Sequence, residues 1–196
     1  MSEKKLAVFD LDATLTRRDT LLPWLEMICG KGRVRRAAMR AGMAHVWAGR
    51  PGDRRTRFKR LWLRRLLKGV EVARAEQAAH ELAAHLDWIP PRCSAREGHL
   101  KRGDTVLLAT GAATLLGRIL MEHRFGGVTD VLGTELEIAG GHFTGEMSGP
   151  NSVRQAKAKR VKDWIEQHGP FEHISGYGNA PHDLPMLALC DQRTIV

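Results

Sequence analysis

Residues Phe9–Thr16 read FDLDATLT and close an apolar run that begins at Leu6. An apolar run of strand length that ends in two carboxylates one residue apart reads as a buried parallel strand. It would deliver acids to the carboxyl edge of a sheet, where open α/β folds bind ligands. Asp10 and Asp12 are those acids. Along an extended chain residues i and i+2 project the same way, whereas a strand that unwinds after Asp10 aims both acids around one bound group. The second arrangement suits phosphoryl transfer: one carboxylate attacks, the other manages the leaving group's proton, and a divalent cation offsets their repulsion. Taken alone, the stretch also fits an acidic loop or an aspartate that caps the next helix.

The chain has 196 residues, 43% of them hydrophobic, enough for one medium domain or a core domain with a small cap. Cys29, Cys93 and Cys190 are odd in number and lack paired spacing, which argues against a disulfide framework or zinc knuckle and for a reducing cytoplasm. No basic-apolar-small leader precedes Leu6, and the longest uncharged stretch, Thr105–Gly117, is too short and too glycine-interrupted to span a bilayer. The expectation is a cytoplasmic protein without stable membrane insertion. A formal net charge of +9 favours anionic partners, among them phosphate esters, nucleic acid and anionic lipid, and it is concentrated between Arg33 and Arg74. A solvated basic helix face accounts for the same pattern.

Downstream of Thr16 the pattern is helical. A helix is expected over Leu21–Cys29, ended by Gly30 and Gly32, and a second over Arg33–Ala48, ended by the turn Gly49-Arg50-Pro51-Gly52. Asp53 caps a third, in which Phe58, Leu61, Trp62 and Leu66 form an apolar stripe among arginines. A fourth runs over Val72–Leu86, and Pro90-Pro91 forbids its continuation. From there strands and helices alternate: helix Ser94–Lys101, strand Thr105–Thr110, helix Ala112–His123, strand Val128–Leu132, a hairpin over Glu135–Met147, helix Val153–Gln167, strand Phe171–Ser175, helix Leu184–Leu189 and a last strand near Thr194. The amino end of the Ala112 helix is where N–H groups and the helix dipole would favour a phosphate. Such alternation predicts a doubly wound α/β core.

The DxDxT pattern of Asp10–Thr14 resembles the nucleophile motif of the haloacid dehalogenase superfamily, and that superfamily's other signatures follow in order. TVLLATG, ending in Thr110-Gly111, is similar to its phosphate-binding strand end. Lys157, with Val161 and Trp164 behind it, resembles its basic motif at a helix start. GYGNAPHDLPML, Gly176–Leu187, is similar to its last acidic motif, GDxxxD followed by a Leu-Pro-Met-Leu helix. The long insert between the first two motifs points to the phosphoserine-phosphatase-like branch, subfamily IB. The resemblance implies a Rossmann-like parallel sheet core from residues 1–19 and 93–196, with an all-helical cap inserted over 20–92. It also implies a magnesium-dependent phosphatase that acts on a small phosphate ester through an aspartyl-phosphate.

On that resemblance Asp10 is the nucleophile, and Asp12 protonates the leaving alkoxide and later deprotonates water. Thr14 fixes the loop, Thr110 and the N–H of Gly111 hold phosphoryl oxygens, and Lys157 neutralises charge, with Lys159 as its rival. Asp10, Asp12, Asn179 and Asp183 would hold Mg2+. Asn179 stands where the motif has its first aspartate and removes one negative charge, so weaker metal affinity is expected. His182 reads as a loop histidine. Asp19 occupies the offset at which the branch recognises a substrate amine with a glutamate, while Arg17, Arg18, Arg50 and Arg57 suit a more anionic substrate. Amino-acid phosphate, polyol phosphate and lysophospholipid or phosphatidylglycerol phosphate all stay open, as does the oligomeric state.

Two further readings stand beside this one. The basic helices could form a nucleic-acid-binding module, with Phe58 and Trp62 stacking on bases, although both fall on the apolar stripe and core packing uses them as well. No nucleic-acid partner is expected on that ground. Alternatively the enzyme sits at a membrane surface with residues 53–68 lying on anionic lipid.

Overall fold

The computed structural model describes residues 4–47, 54–126 and 130–196. Strand β1 (Lys5–Phe9) lies at the centre of a five-stranded parallel sheet, between β2 (Thr105–Ala113) and β6 (His173–Gly178), with β3 (Asp130–Thr134) and β7 (Gln192–Ile195) at the edges. Its central place follows from its sequence, because four successive residues, Leu6 to Phe9, are at most 1% exposed and only a strand covered on both faces tolerates such a run. Alternate residues serve two different cores. Leu6 and Val8 pack with Leu107, Ala109, Val161 and Trp164, the last two from α7 (Arg154–His168). Ala7 and Phe9 join the larger cluster with Val106, Leu108 and Leu120, the last from α6 (Thr114–Phe125). Helices thus cover both faces, as the alternation predicts.

In register, Phe9 lies beside Leu108 on one side and Tyr177 on the other. The segments that follow these three residues therefore emerge at one sheet edge, which gathers Asp10, Gly111 and Asn179.

Among the described residues five helices lie between β1 and β2, and the first four, α1 (Leu21–Cys29), α2 (Lys31–Trp47), α3 (Arg54–Leu67) and α4 (Val72–Ala83), form the helical region. Gly30 alone separates the first two, with φ +80°, so Gly32 belongs to α2 and does not end α1. The chain enters and leaves this helical region side by side: Ile89 donates to the carbonyl of Leu15, and Arg17 to that of Asp87. The expected turn at residues 49–52, the Asp53 cap and the start of β3 at Val128 lie outside the described residues.

Several boundaries differ from expectation. Pro90 and Pro91 occupy the first turn of α5 (Pro90–Lys101), where the fixed φ of proline suits a helix start, so this helix begins before Ser94. The last turn before them frays, and α4 ends at Ala83, not Leu86. β2 continues past Thr110 to Ala113 through a shift in its pairing with β3, and α6 starts only at Thr114. The hairpin of β4 (Leu136–Ala139) and β5 (His142–Met147) stands apart from the main sheet. Phe143 exchanges backbone hydrogen bonds with Gly69 and Val70, at 2.9 Å each, which attaches the hairpin to the end of α3. Its inward residue Phe143 is 2% exposed and contributes to the larger core.

On α3, Leu63, Leu66 and Leu67 are buried, while Phe58, Leu61 and Trp62 are only partly so. Leu63, Leu66 and Leu67 are therefore spent on the larger core, with Trp62 packed against it. Among the described residues no helix is long and apolar enough to cross a membrane.

Candidate active site

Asp10 is 3% exposed and sits at the floor of a cleft of about 360 Å³ between the sheet edge and α3. Its Oδ1 accepts from the Nζ of Lys157 at 2.7 Å, and the same ammonium reaches Asp183 Oδ1 at 2.6 Å. All three side chains are at most 5% exposed. A buried ion triad of this kind is costly to assemble and is kept only where geometry and hydrogen bonds compensate the lost water. Burial disfavours the Lys157 ammonium, and the two carboxylates outweigh that penalty and raise its pKa. Burial also pushes Asp10 up to about 6, with Lys157 opposing and Asp183 adding to the shift. The other oxygen of Asp10 accepts from Thr14 Oγ1 at 3.1 Å, so Thr14 orients the carboxylate.

Ala13 has φ +58°, an unusual conformation for a residue with a Cβ, and it turns the chain directly after Asp12. Asp12 thereby sends its side chain and its carbonyl to different partners. The carboxylate Oδ1 accepts from the N–H and the hydroxyl of Thr20, at 2.9 and 2.8 Å, and the carbonyl faces Asn179. Burial pushes the Asp12 carboxyl up to about 7, the charges of Asp19 and Asp10 add to it, and the Thr20 hydrogen bonds oppose it. A carboxyl that holds its proton near neutrality suits a general acid.

Asn179 Nδ2 lies 3.3 Å from Asp10 Oδ2 and 3.0 Å from the Asp12 carbonyl. Its amide protons therefore sit between two oxygens that also suit a hard cation, within a cluster whose three buried or nearly buried acids have one ammonium between them. Rotation of the amide by half a turn replaces the nitrogen with a third oxygen, and this all-oxygen set fits a divalent ion such as Mg2+. Asp183 does not add an oxygen there. Its second oxygen accepts from the backbone N–H of Asn179 at 2.9 Å, so it orients Lys157 and the loop. That grip requires Gly178, since a Cβ there would lie 2.7 Å from the Cβ of Asp183.

The other expected residues divide. Lys157 faces the site, and Lys159 pairs with Asp163 on the outer side of α7 at 2.7 Å. Gly111 lines the cleft with Ala112, but Thr110 is fully buried and its Oγ1 accepts the N–H of Ala112 at 3.0 Å, so the wall here is built from Gly111 and Ala112. The amino end of α6 faces a different cavity, lined by Thr114, Glu76, His80 and Glu135, because β2 runs three residues further than expected. Asp19 lines the mouth and accepts from the N–H of Leu22 at 2.8 Å. Arg57 is not among the lining residues; its neighbour Arg55 is, with Arg154 opposite. His182 is half-buried and lines the cleft as well, which the loop reading missed. Phe58 and Trp62 line it as a stacked pair, 6.0 Å between ring centroids. Lys59 and Asn151 are also in the wall, and no motif pointed to them.

A family model described as haloacid dehalogenase-like hydrolase matches residues 7–188. A histidinol-phosphatase of Neisseria meningitidis serogroup C (strain 8013) is 28% identical over 205 residues, covering 98% of this chain and 90% of that protein. Among solved structures, a protein of unknown function from Bordetella pertussis Tohama I superposes with a TM-score of 0.79 at 23% identity, over 98% of this chain and 89% of that one. A probable phosphoserine phosphatase from Vibrio cholerae gives a TM-score of 0.70 at 18% identity, over 98% of this chain and 56% of that one. With the family model covering residues 7–188, and so every residue of the Asp10–Lys157–Asp183 triad, the chain belongs to the haloacid dehalogenase-like hydrolases.

Proposed function

We propose that the protein is a magnesium-dependent phosphomonoesterase that works through an aspartyl-phosphate on Asp10. The observation that carries this reading is the buried Asp10–Lys157–Asp183 cluster at the floor of the cleft, with Asp12 beside it. Asp10 attacks phosphorus, the ester P–O bond breaks, and Asp12 gives its proton to the departing oxygen. In the second half Asp12 takes a proton from water, the water oxygen attacks phosphorus, and the bond to Asp10 breaks to release inorganic phosphate. Lys157 balances the negative charge gathered around Asp10 throughout. Asp10, the Asp12 carbonyl and Asn179 would hold Mg2+, which supplies charge neutralisation at the phosphoryl oxygens. Hydrolysis of an aryl phosphate tests the reading: activity abolished by chelator and restored by magnesium is expected, and no phosphate release from any ester of a broad panel at saturating magnesium would overturn it.

The substrate is a small phosphate ester. Asp19 at the mouth and the Phe58–Trp62 pair opposite favour an ester that carries an amine or a cationic ring. Phosphoserine and histidinol phosphate, after the named activities of the relatives, therefore head the panel. Asp19→Asn keeps the hydrogen bond from Leu22 and removes the charge. It is expected to raise KM for amine-bearing esters by about tenfold and to leave KM for an aryl phosphate unchanged, consistent with one lost charge interaction.

Asn179→Asp tests the donor set directly. In chelator the new carboxylate faces Asp10 and the Asp12 carbonyl without an amide proton between them, so Tm is expected to fall. Added magnesium should restore Tm, and the concentration for half-maximal activity should drop by about tenfold as ligand charge rises. Equal magnesium dependence in the two proteins would remove Asn179 from the set.

A further inference from the structure

Lys59 leaves the arginine-covered outer side of α3 and enters the wall of the cleft. Its Nζ donates to the carbonyl of Gly111 at 2.5 Å, to Asn151 Oδ1 at 2.8 Å and to Thr134 Oγ1 at 3.2 Å. An ammonium has three protons, and these three acceptors use them all. They come from three separate parts of the core: the end of β2, the end of β3 and the loop before α7. Thr134 adds its own hydrogen bond to the Gly111 carbonyl at 2.9 Å. Each of these acceptors is uncharged, so among the described residues the ammonium is enclosed without a carboxylate in contact, a costly arrangement for a cation. Burial pushes its pKa down to about 8, against the pull of Asp12 and Asp19.

The position of this contact gives it meaning. The peptide that joins Gly111 to Ala112 is held at both ends, its carbonyl by Lys59 and its N–H by Thr110 Oγ1. Both residues line the cleft in which Asp10 lies. We propose that Lys59 is a positioning residue for phosphate capture: it fastens the cap to the Gly111–Ala112 wall, fixes the shape of that wall, and brings a positive charge to it. The inference rests on the phosphomonoesterase reading, and goes beyond it in making the cap itself part of the phosphate site.

Lys59→Met and Lys59→Gln are compared with the parent in magnesium buffer by three measurements: binding of inorganic phosphate by calorimetry, aryl phosphate kinetics, and Tm. Each variant is expected to weaken phosphate binding by about tenfold to a hundredfold, the worth of a charge-assisted interaction. KM should rise correspondingly more than kcat falls. Tm should stay level or rise in Lys59→Met, because a buried charge has been replaced by an apolar chain of similar length. Asn151→Ala should give a smaller loss of phosphate affinity, and the loss caused by Lys59→Met should shrink in that background. Phosphate affinity and KM within twofold of the parent would overturn the proposal. So would a lower Tm with unchanged KM, the mark of a purely structural contact. Gln retains amide donors at a similar reach, so Lys59→Gln answers the question should the Met variant fail to fold. If the parent turns over no ester, the phosphatase reading falls, while calorimetry with inorganic phosphate still decides the role of Lys59.

Discussion

Asp10→Asn is expected to lower turnover by about four orders of magnitude or more and to leave no phosphate attached to the protein, the scale seen when a covalent nucleophile is lost. The amide oxygen can still accept from Lys157 while its NH2 donates to the hydroxyl oxygen of Thr14, so the fold around it should persist, and near-UV circular dichroism should match the parent. Asp12→Asn gives a different result. It keeps the attacking carboxylate and the hydrogen bonds from Thr20, but removes the proton donor and the later base. With an aryl phosphate, whose leaving group needs no proton, phosphorylation should survive while hydrolysis of the intermediate slows. Acid quench with labelled substrate should therefore trap phosphate on the Asp12 variant and none on the Asp10 variant. Label on the Asp10 variant, or parental turnover in both, would remove this stretch from the chemistry.

The first strand and its two acids were legible because several rules agree on them. Leu6–Phe9 is apolar at every position, which only a strand covered on both faces explains, and carboxylates at its end have no packing reason to follow it. Lys157 was separable from Lys159 because residues two apart on a helix face different ways, and the inner side was marked by Val161 and Trp164. The family resemblance extended this reading to Asn179 and Asp183, whose partners Asp10 and Lys157 lie 169 and 26 residues away along the chain.

What stayed hidden depends on tertiary placement. Lys59 is one cation in a helix full of them, and nothing local says that it alone among its neighbours turns toward Gly111. Of the two residues expected to meet the phosphate at the end of β2, Gly111 lines the cleft and Thr110 does not. Strand pairing carries β2 on to Ala113, Thr110 turns inward to hold the Ala112 amide, and the glycine behind it lines the cleft. The hairpin's attachment to the end of α3 rests on backbone bonds between Phe143 and residues 69–70, which side-chain periodicity does not encode. Proline marked a boundary correctly at 90–91, but as the start of a helix and not only as the end of one.

Lys157→Met should damage both activity and stability, and the two losses are separable. The ammonium joins Asp10 and Asp183 at 2.7 and 2.6 Å, and without it two buried carboxylates face each other unpaired. Breaking a buried ion pair from one side costs about 3–5 kcal/mol, enough to lower Tm by many degrees in a chain of this size. Turnover should fall by about a thousandfold or more, since the charge on the phosphoryl group and Asp10 is no longer balanced. Asp183→Asn in the same protein removes one of the two stranded charges and keeps an oxygen for the Asn179 N–H. Tm should recover by a large part of the loss, and activity should not. Urea unfolding in the presence of chelator, read beside aryl phosphate kinetics in magnesium, measures the two effects independently. If the second substitution restored turnover together with Tm, Lys157 would be a structural tie and not a participant in phosphoryl transfer.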